Sequence, residues 1–163
     1  MYSIMIPGGK KWEILKCMLI GEYIHRLDEK NRVPLPAKFR REMGKNVVIT
    51  PGLDNCLFVF TTNEWERVSG ALTHKNSELS FLRRDLRVFN RNLFGQATEV
   101  EIDSIGRILI PNFLKDKIGL KEEAALVGVG DRVEIWSLPS WKKYLDETEK
   151  EQSAIAEKLA SDE

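Results

Sequence analysis

The chain has 163 residues, one domain's worth on length alone, and 42% of them are apolar, enough for one core or two small ones. Basic and acidic residues balance at 25 each, which excludes a protein that coats nucleic acid by bulk positive charge. Two cysteines, Cys17 and Cys56, and two histidines, His25 and His74, exclude a disulfide framework and a multi-cysteine zinc site, and no run approaches the ~18 apolar residues of a membrane span.

Residues 1–17 lack the order of a signal peptide, because Lys10 and Lys11 follow the apolar stretch instead of preceding it. Pro7-Gly8-Gly9 breaks any regular element there, so a flexible leader is expected. It is either a native tail or an extraneous extension ahead of an initiator at Met18.

An internal repeat organises the rest of the chain. Asp28-Glu29-Lys30-Asn31-Arg32-Val33-Pro34-Leu35-Pro36 returns 75 positions later as Asp103-Ser104-Ile105-Gly106-Arg107-Ile108-Leu109-Ile110-Pro111, with Asp, Arg and the last Pro in register. Gly44 maps to Gly119 and, after a slip of one, Gly52, Phe60, Thr61 and Trp65 map to Gly128, Trp136, Ser137 and Trp141. The expected organisation is a first unit at 18–66, linker helices at 67–93, a second unit at 94–142 and an acidic helical tail at 143–163.

Each unit reads alike. Tyr23 to Leu27 and Thr98 to Ile102 are strand-like. The Asp-x-x-x-Arg segments are tight turns, with Asn31 and Gly106 where a left-handed backbone is wanted. Val33 to Leu35 and Ile108 to Ile110 form the returning strand. Pro36 and Pro111 open a short helix, and Gly44 and Gly119 suit its end. Val47 to Thr50 pairs in a hairpin with Leu57 to Phe60, and Ala124 to Val127 with Val133 to Trp136, the second turn holding Gly128 to Asp131. Thr62 and Ser137 offer N-caps to helices carrying Trp65 and Trp141. A four-stranded unit of about 45 residues buries too little surface to stand alone. The two units therefore complete each other as a β-rich α+β fold with a pseudo-two-fold axis.

In the linker, Leu79, Leu82, Leu86, Phe89 and Leu93 are spaced as one helical stripe, with Arg83, Arg84, Arg87 and Arg91 mostly turned away from it. The plain expectation is a helix packed on the sheets with a solvated basic face. A subunit contact or phosphate binding is the other. In the tail, Trp141, Leu145, Thr148, Gln152, Ile155 and Leu159 form a second stripe. A solvated helix is expected there, with a partner-binding or ring-packing helix as the alternative.

Charge is unevenly placed. Glu22 to Lys45 holds seven bases and four acids, a net of +3, whereas Glu99 to Lys121 holds four of each. Arg32 and Lys30 are the residues of interest. A two-stranded ribbon fits the DNA major groove with its turn leading, and an arginine there can grip guanine O6 and N7. Arg26, Lys38, Arg40 and Arg41 suit the flanking phosphates. The plainer reading of an Asp and an Arg four apart is a pair that pins the turn. That is the expectation for Asp103 and Arg107, and for Asp28 it stands level with DNA contact by Arg32. His25 has no metal-spaced partner, Gly128-x-Gly130 lacks the rest of a dinucleotide fingerprint, and no nucleophilic triad is suggested. No enzyme activity, cofactor or metal is expected.

Several motifs occur in order along the chain: Met18-Leu19-Ile20-Gly21-Glu22-Tyr23, Leu27-Asp28-x-Lys30-x-Arg32, Pro36-Ala37-Lys38-Phe39-Arg40, Gly52-Leu53-Asp54-x-Cys56-Leu57-Phe58-Val59, Glu64-Trp65, Gly106 to Pro111, and Leu126-Val127-Gly128-Val129-Gly130-x-Arg132-x-Glu134-Ile135-Trp136. Together they resemble one bacterial family, MraZ. The resemblance spans Met18 to about Leu145 and favours Met18 as the start. It implies two SpoVT/AbrB-like swapped-hairpin units in a pseudo-two-fold double-split barrel, and a homo-oligomeric ring of about eight subunits. It implies a cytoplasmic, nucleoid-associated regulator that binds double-stranded DNA at tandem short G-rich repeats. These would lie upstream of its own division and cell-wall operon, usually for repression. It places the DNA-reading turn on Asp28 to Arg32, with Lys30 and Arg32 as contacts. Asn31 departs from the family's common glycine, mildly, since Asn tolerates the left-handed region. The rival from another class is an antitoxin-type interaction module that binds its partner through the acidic tail.

Overall fold

The structure, a computed structural model, describes residues 18–75 and 80–161. The expected leader and Leu79 of the linker stripe lie outside the described residues.

In chain order the elements are β1 (Leu19–Arg26), β2 (Arg32–Pro34), α1 (Ala37–Met43), β3 (Asn46–Pro51), β4 (Leu57–Thr61), α2 (Thr62–Lys75), a 3-10 turn (Ser80–Leu82) and α3 (Arg84–Leu93). Then follow β5 (Thr98–Glu101), β6 (Arg107–Leu109), α4 (Asn112–Lys117), β7 (Glu123–Gly130), β8 (Val133–Ser137), α5 (Leu138–Thr148) and α6 (Gln152–Ser161). The fold is α+β, with an antiparallel six-stranded sheet in the order β1-β7-β8-β4-β3-β5 and a separate two-stranded ribbon, β2-β6.

The pairing corrects the expectation that β2 and β6 return along their own first strands. The units exchange strands instead. β1 pairs with β7 from Leu19↔Gly130 to Arg26↔Glu123, β5 pairs with β3, and β2 pairs with β6 through Val33↔Ile108. Pro36 and Pro111 offer no N–H, and the cross-unit bonds end just before them, with Leu35 N–H on the Gly106 carbonyl and Ile110 N–H on the Asn31 carbonyl. Val33 and Ile108, both fully buried and at matching positions of the repeat, pair directly with each other.

The main core fills the space between the inner face of the large sheet, the ribbon and helices α1 and α4. Leu19, Val47, Ile49, Leu57, Val59, Leu126, Val133 and Ile135 come from the sheet, Val33, Leu35, Ile108 and Ile110 from the ribbon, and Phe39, Met43 and Leu114 from the helices. Tyr23 meets Phe39 edge to face at 5.2 Å. On the outer face of the sheet, Trp136 and Trp141 pack with Cys56, Ala125 and Val127 beneath α5.

Four local expectations change. The cap of α2 is Thr61, whose hydroxyl accepts from the Glu64 N–H, rather than Thr62; the repeat register that pairs Thr61 with the true cap Ser137 carried that signal. Strand β7 runs to Gly130, so the expected Gly128 to Asp131 turn narrows to Asp131 and Arg132. Gly128 sits in the ladder opposite Gly21 and Val133, and the position needs glycine because a Cβ there would press on the backbone of Leu19 and Ile20. The linker stripe packs at Leu93, which is buried, while Leu82 is exposed. The tail stripe divides into α5 and α6, and α6 buries none of its residues.

Candidate nucleic-acid interface

The Asp-x-x-x-Arg turns fold by the same chemistry. Asp28 Oδ1 accepts the N–H groups of Lys30 and Arg32, each at 2.9 Å, and Asp103 Oδ1 accepts those of Ile105 at 3.1 Å and Arg107 at 2.8 Å. The second carboxylate oxygen takes the arginine four residues on, Arg32 Nε at 2.8 Å and Arg107 Nε at 2.8 Å. The residue before each arginine is left-handed, Asn31 at φ 56° and Gly106 at φ 85°. These bonds hold both carboxyls below the usual carboxylate range, and backbone N–H donation is the largest cause, from Arg32 to Asp28 and from Arg107 to Asp103.

Strand exchange brings the two turns together. Arg107 Nη1 reaches Asp28 Oδ2 at 3.3 Å, and Arg32 Nη1 lies 3.9 Å from Asp103 Oδ2. Asp28, Arg32, Asp103 and Arg107 thus form a quartet that joins the two turns. Turn-pinning and exposure coexist, for the Arg32 side chain keeps 29% of its surface accessible and Arg107 25%. A further link was invisible in the repeat: Asn31 Nδ2 donates to Asn112 Oδ1 at 2.7 Å, tying the first turn to the start of α4.

The other residues singled out from the sequence divide. Lys30 is exposed on the first turn, and Lys38, Arg40 and Arg41 are exposed on α1, whose inward side chains are Phe39 and Met43. Among the described residues these four cations make no salt bridge. Arg40 reaches the second turn and lies over Gly106. Arg26 stands apart at the end of β1, where it meets Glu122 at 3.4 Å and Glu123 at 3.9 Å, so its charge is partly neutralised.

The second unit differs at the matching positions. Ile105, Phe113 and Asp116 stand where the first has Lys30, Lys38 and Arg41, with only Lys115 keeping the charge of Arg40. Ile105 and Phe113 are exposed, so the asymmetry is one of surface chemistry and not of packing.

A family model described as "MraZ protein, putative antitoxin-like" matches residues 18–92 and again residues 93–162. The chain belongs to the MraZ family. A transcriptional regulator MraZ from Alkaliphilus oremlandii (strain OhILAs) is 46% identical over 143 residues, covering 88% of this chain and 97% of the relative. Proteins of the same name from Moorella thermoacetica and Carboxydothermus hydrogenoformans are 46% and 44% identical over 142 residues each, covering 87% of this chain and 96% of each relative. Each of these relatives is named a transcriptional regulator.

Elsewhere the chemistry is sparse. Cys56 is buried, its Sγ donating to the Leu53 carbonyl oxygen at 3.0 Å, and burial pushes the thiol far up. Among the described residues no group of three His, Cys, Asp or Glu side chains could hold a metal ion, and no helix is long and apolar enough to cross a membrane.

Proposed function

We propose that this chain binds double-stranded DNA sequence-specifically, as a ring homo-oligomer, at tandem short G-rich repeats upstream of its own division and cell-wall operon, and represses it. The observation that carries the reading is the concentration of unneutralised cations around a preorganised turn pair. Lys30, Lys38, Arg40 and Arg41 are exposed without a carboxylate partner among the described residues, and Arg40 reaches across to the second turn. Lys30 and Arg32 face base edges in the major groove. The Nε of Arg32 is fixed by Asp28, which orients its outer nitrogens as a rigid fork for guanine. Lys38, Arg40 and Arg41 hold phosphates, and Arg26 is the outermost support.

The first unit, 18–66, is the reader, and the second, 94–142, completes the fold, with 67–93 and 143–163 as its attached helices. In this reading the exchanged strands form a swapped-hairpin, double-split barrel. Several first-unit turns on one ring face gain by effective concentration, which suits a local net charge of only +3. The protein works in the cytoplasm on the nucleoid.

A mobility shift with the DNA upstream of the gene tests this. Arg32→Ala loses about tenfold to a hundredfold in specific affinity, the worth of one good bidentate base contact, while its circular dichroism spectrum stays that of the wild type. An unaltered shift removes the assignment of Arg32.

A further inference from the structure

Strand exchange gives the two turn arginines different neighbours on the outer face of the ribbon. In an antiparallel pair, residues directly opposite each other project on the same side, with Cβ atoms about 4.5–5.5 Å apart. Val33 and Ile108 fill the inner face and are fully buried. The outer face therefore carries Arg32 opposite Leu109, and Pro34 opposite Arg107. Leu109 and Pro34 occupy matching positions of the repeat, so the guanidinium of the first turn has a leucine beside it where that of the second has a proline. The Arg32 side chain keeps 29% of its surface accessible, and Leu109 is 48% exposed.

An exposed leucine is ordinary by itself; its register with Arg32 is what gives this one a place. Its backbone is also held. The neighbours Ile108 and Ile110 are fully buried in the core, and the Ile110 N–H donates to the Asn31 carbonyl oxygen at 2.9 Å. Leu109 is thus a fixed apolar side chain beside a fixed polar fork. The apolar character extends to the tip of the second turn, where Ile105 stands at the position of Lys30 and is exposed. Cations surround it nonetheless. Lys30 and Lys38 are exposed nearby in the fold, and Arg40 lies over Gly106 in the second turn itself. A polyanion with apolar groups on its edges fits such a face better than an apolar protein does.

We propose that Leu109 is a specificity-determining residue: its side chain packs against the 5-methyl group of a thymine in the base pair next to the guanine that Arg32 grips. The major groove displays that methyl, the one apolar substituent on a base edge there. Successive base pairs lie about 3.4 Å apart along the duplex, so two side chains about 5 Å apart across a ribbon reach neighbouring pairs. Arg32 selects the guanine, and Leu109 selects at the adjoining position. A cytosine there lacks the methyl and turns an amino donor toward a leucine that cannot accept from it. This rests on the DNA-binding reading above and adds one residue of the second unit to the reading edge.

The test removes the methyl from the DNA and the side chain from the protein. In mobility shifts on the duplex upstream of the gene, each thymine adjoining a guanine is replaced in turn by deoxyuridine, which takes away the 5-methyl and nothing else. The wild type loses about fourfold in affinity at one of these positions, the worth of one buried methyl. Leu109→Ala binds the unmodified duplex more weakly by at least that factor and loses nothing further on the deoxyuridine duplex, because both changes remove the same contact. Should alanine weaken the ribbon, Leu109→Val keeps the strand preference while withdrawing the tip of the side chain, and its response to deoxyuridine is reduced in the same way. The deoxyuridine series on wild-type protein depends on no variant folding. A wild type indifferent to every deoxyuridine, or a Leu109→Ala protein as sensitive as the wild type, overturns the assignment of Leu109, while a specific shift leaves the DNA-binding reading standing. A wild type that does not shift the upstream duplex overturns both.

Discussion

Arg40, on the first unit's helix, lies directly over Gly106 in the second unit's turn: a Cβ on Gly106 would fall inside the Cδ and guanidinium of Arg40. The glycine therefore does two things. It supplies the left-handed backbone at φ 85° that the turn requires, and it makes room for a cation from the other unit. Gly106→Ala forces Arg40 aside and strains the turn, for an expected destabilisation of about 1 kcal/mol or more in urea unfolding. Specific DNA affinity falls as well. Gly106→Ala combined with Arg40→Ala relieves the steric part, so the two effects on stability are not additive.

Much of the fold was legible in the sequence, because the repeat of Asp, Arg and Pro at a fixed shift reports one backbone made twice. It located the turns, the ribbon strands and the short helices. It could not report which strand pairs with which. Val33 and Ile108 look the same in a hairpin and in an exchanged ribbon, since both bury them. The site was half legible. The Asp28–Arg32 spacing revealed a pair, but the contact of Arg107 with Asp28 joins residues 79 apart, and only tertiary pairing brings them together. The same holds for Asn31 with Asn112: the amide at 31 looked like a tolerated substitute for glycine, and it is also a bond between units.

The quartet gives the fold an acid sensitivity of definite sign. Asp28 and Asp103 are held below their ordinary 3.8 in the folded chain, so folding binds these carboxylates in their charged form. Their contribution is fully present above the unfolded value of 3.8 and is lost progressively as pH falls from there through the lowered folded values. Urea midpoints measured across that range show the decline. Asp103→Asn lowers the midpoint at neutral pH and makes the acid decline shallower, because the group that binds the extra proton is gone.

Contacts to phosphate and to bases separate by their salt and sequence dependence. Arg41 is exposed on α1, one residue beyond Arg40, and meets no carboxylate among the described residues. Arg41→Ala weakens binding to the upstream DNA and to unrelated duplex alike, and it lowers the slope of log affinity against log salt by about 1 per subunit engaged. Lys30→Ala, in contrast, weakens the upstream site more than the unrelated duplex. Equal losses on both DNAs would move Lys30 from the base edges to the backbone.

Phe39 connects α1 to the core. It is fully buried, it meets Tyr23 of β1 edge to face, and it sits on α1 between Lys38 and Arg40, so its packing sets how those cations are presented. Phe39→Ala leaves a cavity beside Met43 and the ribbon and costs about 3–5 kcal/mol, read as a lowered urea midpoint with an unchanged slope. Phe39→Leu keeps most of the volume and costs less, yet it removes the ring contact that fixes the helix against β1. The leucine variant therefore binds DNA more weakly than its retained stability alone would give. Affinity measured at a temperature where both proteins are fully folded distinguishes the two: equal affinity there means that Phe39 serves only the core.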